Sequence, residues 1–160
     1  MAKLRIFSKC SEGDICLILF LTLFVTISKR EQFIKTLNRF APEAFTEYLT
    51  DLILAAKVTF KIVPGRSTKL GDFRVKQGQE KPTITVNGDL NKYAFLITAI
   101  HELAHLDAFR NYGWRIVPHG EEWKQAYRKL LEPILVSKQL PHDLEKALWK
   151  NFTHQLCHAN

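Results

Sequence analysis

Phe95 to Leu106 reads FLITAIHELAHL, a run that would be apolar on almost every side of a helix were it not broken by two imidazoles and a carboxylate. A helix of that kind belongs in or against a core. His101 and His105 then stand at a core wall, where uncompensated polar rings cost free energy unless something satisfies them. A fold for this chain must bury the helix and also give those groups a partner.

A metal ion is one such partner. His101 and His105 are four residues apart, so in a helix both rings leave the same face about one turn apart. Neutral imidazole binds zinc at roughly 2.0–2.1 Å. Glu102 projects to the flank of the pair, where it touches a water activated by the ion without binding the ion itself. Zinc lowers the pKa of such a water towards neutrality, and a carboxylate there serves as general base. This is the HExxH pattern of zinc peptidases. The plainer alternative, a helix with two surface histidines, fits poorly with the apolar residues around them. His119 follows Gly113 and Pro118 at the start of another helix, and a reversal there returns it to the open side of the ion. Three protein ligands and one open position describe a catalytic zinc rather than a structural one.

The rest of the chain supplies a frame. Phe33, Ile34, Leu37 and Phe40 recur at helical spacing, and Pro42 opens a second helix with the stripe Ala44, Phe45, Tyr48, Leu49, Leu52 and Ile53. Val58–Val63, Asp72–Val75 and Thr83–Val86 read as strands, the last two joined by the polar, hairpin-like KQGQEKP. The period turns helical after Asn87-Gly88-Asp89, with Asn91 or Asp89 as cap and Gly113 as stop. A helix from near His119 should be bent or stopped by Pro133, and a last one runs from Pro141 to about Phe152. Strands grouped between helices predict an α+β fold, with helices on a small three-stranded, mainly antiparallel sheet.

At 160 residues one domain is expected. The 46% hydrophobic content excludes a disordered chain, and the net charge of +7 fits an anionic partner, or else a basic surface kept for solubility. Cys10, Cys16 and Cys157 form no CxxC pair, which argues against a disulfide framework or a cysteine zinc ribbon and for a cytoplasmic setting. Cys16–Ile27 is apolar but shorter than the roughly 20 residues of a membrane span. Glu12 and Asp14 precede it where a signal peptide carries positive charge. Residues 1–28 are therefore read as an extension outside a core of residues 29–160; no stable membrane insertion is expected, and weak membrane association through residues 16–27 is the lesser alternative.

HELAHL, the later PHGEEWK block and the upstream RSTKLGDFR…ITVNGDLN run together resemble the SprT-like family, over most of Lys29 to about Leu144. The resemblance implies a compact zincin-type peptidase that binds Zn2+ through His101, His105 and His119, with Glu102 as catalytic base. It also implies protein substrates attached to or bound on DNA. Many relatives continue into a cysteine-rich zinc ribbon; here Cys157 and His158 lack partners and read as a tail, which puts autonomous DNA binding in doubt.

Secondary candidates follow. Lys57, Lys61, Arg66, Lys69, Arg74, Lys76, Lys81 and Lys92 crowd the strand region, either as a nucleic-acid track or as a solvated face. Thr83–Asn87 is the expected shelf for an extended substrate, by analogy of fold. Asp107 reads as a surface carboxylate, with orientation of a ligand ring as the alternative, and Trp123 is expected beneath the site. Tyr93, Tyr112 and Tyr127 are each candidates to stabilise the oxyanion. The rival reading is a DNA-associated accessory protein whose zinc is structural. Glu102 speaks against it, since a structural site has no use for a general base.

Overall fold

A computed structural model describes residues 29–76 and 81–154, so the expected extension 1–28 and the tail at Cys157-His158 lie outside the described residues. Helical residues 29–37 (α1) lead to α2 (Glu43–Ala55). Arg30 pairs with Asp51 at 2.9 Å and Phe33 meets Phe60 edge-on, which fixes α1 against α2 and the sheet. Pro42 caps α2 from just outside rather than from within. Along α2 the buried stripe is Phe45, Thr46, Leu49, Thr50 and Ile53, while Ala44 faces solvent. The two threonines can be buried because their hydroxyls donate to the carbonyls of Pro42 and Thr46, at 3.0 and 2.8 Å.

Three strands follow: β1 (Thr59–Val63), β2 (Gly71–Arg74) and β3 (Thr83–Asn87). The order is β1-β3-β2, with β3 antiparallel to β2, as a hairpin requires, and parallel to β1. Ile84 and Val86 point into the core beside Phe60, Ile62 and Phe73. By alternation and register, Lys61, Asp72, Arg74, Thr83 and Thr85 share the outer face.

α3 (Lys92–Tyr112) lies across the inner face of the sheet and buries Phe95, Leu96, Ala99, Ile100, Leu103 and Leu106. Its cap is Asn91, whose side chain accepts from the Ala94 amide at 2.9 Å, and Gly113 ends it at φ 74°. A 3-10 turn (Gly113–Arg115) leads towards α4 (Glu121–Val136), which packs along α3. Pro133 does not stop α4; the helix continues to Val136, and the Pro133 carbonyl still accepts from Ser137. α5 (His142–His154) closes the fold, with Leu144, Leu148 and Trp149 against the core. The architecture is α+β, with five helices and a small mixed sheet among the described residues. No helix among those residues is long and apolar enough to cross a membrane.

Candidate metal centre

His101 and His105 stand on the exposed side of α3 one turn apart, and the third ring arrives from the connector. The Gly120 amide donates to the Val117 carbonyl at 2.8 Å, closing a turn with Pro118 second and His119 third. His119 has φ 58°, the left-handed conformation that a type II turn needs at that position and that side chains seldom adopt. Pro118 presets the turn, and Gly120 leaves room for it: a Cβ there would lie 2.9 Å from the Val117 carbonyl. This reversal brings His119 back over α3. The three Nε2 atoms lie 3.2 Å (His101–His105), 3.1 Å (His105–His119) and 3.0 Å (His101–His119) apart.

Three imidazole nitrogens aimed at one point cannot satisfy one another, because a proton bridges two and not three. A shared ion can. Tetrahedral zinc with roughly 2.0–2.1 Å bonds holds its nitrogens about 3.3 Å apart, close to what is seen. Burial first, then the charge of His119, pushes His101 down to about 4; burial, then both neighbouring rings, does the same to His105. His101 and His105 are thus neutral near pH 7, the form that ligates a metal. The donor set fits a single metal ion, and imidazole is a ligand zinc favours.

The rings are held from below and from one side. Trp123, 7% exposed, lies 4.7 Å from His101, 5.4 Å from His105 and 4.7 Å from His119, centroid to centroid. Tyr127 stacks on Trp123 at 4.9 Å and itself meets His101 edge-on at 6.2 Å. Phe73 lies parallel to His105 at 6.5 Å.

Glu102 is 7% exposed, turned from the histidine face towards β2. Its carboxylate accepts from the Phe73 backbone amide. It lies so close to Gly71 that a Cβ there would sit 2.5 Å from Oε1. Burial, then Asp72, pushes Glu102 up to about 7, against the opposing pull of the Phe73 amide, Arg66 and Lys69. Burial also pushes Asp72 up, but Lys69 and Arg74 outweigh it and hold that carboxyl below its ordinary value.

Both groups open on a cleft of about 680 Å³, walled by Gly71–Lys76 on one side and by Phe109, Trp114, Ile116 and Pro118 on the other. Here the structure corrects one expectation. β3 is hydrogen-bonded on both sides, so Thr83–Asn87 has no free edge to offer a peptide. Of the two edge strands, β1 and β2, it is β2 that borders the cleft. Asp107 faces away, into a separate groove with Leu52, Ala56, Arg110 and Lys129. Tyr93, Tyr112 and Tyr127 are absent from the cleft walls. Sequence reasoning missed Gly71 and Phe73; a lone glycine in the strand-like LGDFR was the signal, since such a glycine marks a close approach. Lys61, Arg66, Arg74 and Lys76 do gather, around a smaller pocket that includes the outer-face Asp72, Thr83 and Thr85.

The chain is 34% identical over 103 residues to Protein SprT of Pseudomonas fluorescens (strain SBW25), covering 57% of this chain. It spans about 60% of that relative's length. No family model matches, and no solved structure matches.

Proposed function

We propose, from the SprT-like family assignment that this similarity supports, that the chain is a zinc-dependent peptidase of compact zincin type. One observation carries the reading: three ring nitrogens meet within 3.0–3.2 Å beside a buried carboxylate that is not one of them. His101, His105 and His119 hold the ion. Zinc bound there would polarise the scissile carbonyl and acidify a water.

The remaining work falls to the chain's own groups. Glu102, steadied by the Phe73 amide, takes the proton of the attacking water and returns it to the amine nitrogen as the C–N bond breaks. Trp123 sets the angle of the rings from beneath. The free edge of β2 receives an extended segment of substrate by strand addition, which presents its backbone to the cleft. Lys61 and Arg74 on the outer face of the sheet, Arg66 and Lys76 around the same pocket, and Lys69 at the cleft support a nucleic-acid partner and substrates bound on DNA.

Zinc-loaded protein is expected to cleave an unfolded protein, to stop when chelated and to resume when zinc is returned, with an arm containing DNA to test stimulation. Zinc-loaded protein that cleaves nothing with or without DNA would overturn the reading.

A further inference from the structure

Trp114 is 73% exposed, although it packs edge-on against Phe109 at 4.9 Å. Tyr112 and Val117, close to it in the chain, are exposed as well, and clustered apolar surface, unlike a single exposed residue, marks a binding site. Its position gives that surface a purpose. Phe109 in turn packs on Phe73 at 5.9 Å, and Phe73 lies parallel to the metal-side ring of His105. An unbroken aromatic wall thus runs from the rim of the cleft to the histidines, and Ile116 and Pro118 complete it. Phe109 and Trp114 line the same cleft that β2, to which Phe73 belongs, borders with its free edge. A backbone paired along that edge alternates its side chains, so every second one turns to one face of the added strand.

Resting on the peptidase reading above, we propose that Phe109 and Trp114 wall an apolar subsite beside the metal, which selects substrates with a bulky apolar side chain next to the scissile bond. The volume of the cleft, about 680 Å³, lies within the range of sites that enclose a ligand's side groups. Lys69, Arg74 and Lys76 outnumber Asp72, which pairs with the first two, along the same cleft, so a lysine at that position meets a net like charge as well as an apolar wall.

The test uses the zinc-loaded Glu102→Gln protein, which holds a peptide without turning it over. Blocked octapeptides of alanine and serine, with one phenylalanine moved through each position, are titrated by calorimetry beside the parent peptide and a lysine series. One phenylalanine register should bind about tenfold tighter than alanine, and lysine there more weakly than either. Adding Trp114→Ala should cut the phenylalanine preference to about twofold without loss of zinc. Equal affinities across the series, or a preference that survives Trp114→Ala, would overturn the subsite. So would a Trp114 indole signal that responds only to protein concentration or to an oligonucleotide, since the wall would then belong to a second copy or to stacked bases. Wild-type cleavage of the same peptides separates the two readings. A Trp114-dependent preference in binding with no cleavage sinks the peptidase and leaves the subsite. Cleavage at one rate for every peptide does the reverse.

Discussion

Glu102 owes its place to a missing atom. Gly71 lies where a Cβ would come within 2.5 Å of Glu102 Oε1 and 2.7 Å of Thr98 Cγ2. Gly71→Ala should therefore push the carboxylate off the Phe73 amide. Overpacking of this kind costs about 1–3 kcal/mol of stability, and a displacement near 1 Å costs about 100-fold in turnover. Zinc content should not change, and a variant that keeps full turnover would contradict this. The same residues make stability depend on pH. In chelated protein, burial lowers His101 and His105 from the ordinary 6.5 to about 4, so between those values the unfolded chain binds more protons than the folded one. Their contribution is present above pH 6.5 and is lost as pH falls towards 4. Glu102 acts oppositely: pushed up to about 7 from an ordinary 4.5, its burial costs most above pH 7 and is relieved on acidification. The two rings outweigh the one carboxyl. Denaturation curves of chelated protein should show stability falling from pH 6.5 to 4.5, and falling more steeply in Glu102→Gln; a flat profile in both would contradict the shifts.

At the scale of elements, α3 and β2 set the site, and they do so unequally in the sequence. The switch from strand to helical period after Asn87 was readable, as were a cap at Asn91 or Asp89, of which the helix uses Asn91, the Gly113 stop and the spacing of His101 and His105, because each is a local rule. The order β1-β3-β2 was not, since pairing is decided by contacts distant in the chain and leaves no mark on periodicity; for that reason the substrate edge was placed on β3 rather than β2. Nor did the pattern show Thr46 and Thr50 inside α2, where bonds to their own helix remove the penalty that marks a hydroxyl as exposed. Asn87 shows how such non-local order is held. It is 1% exposed; its amide donates to the Arg66 and Lys69 carbonyls at 3.2 and 2.9 Å, and its oxygen accepts from Arg66 Nε at 2.8 Å. It therefore pins the loop that leads into β2. Asn87→Ala should cost about 2–3 kcal/mol in chemical denaturation and slacken the strand behind Glu102; a loss below measurement would contradict that role.

For the whole molecule, the three histidines make the metal a tie between α3 and the connector that enters α4. An ion that binds the folded chain at a thousand times its dissociation constant adds about 4 kcal/mol, so chelation should lower the melting temperature by about 10 °C. No change on chelation would mean that the rings hold no ion. The most direct measurement joins zinc content and turnover in one sample of Glu102→Gln, beside wild type. The account predicts one zinc per chain in both proteins and proteolysis only in wild type. Glu102→Gln protein that retains its zinc and still cleaves at the wild-type rate would contradict it.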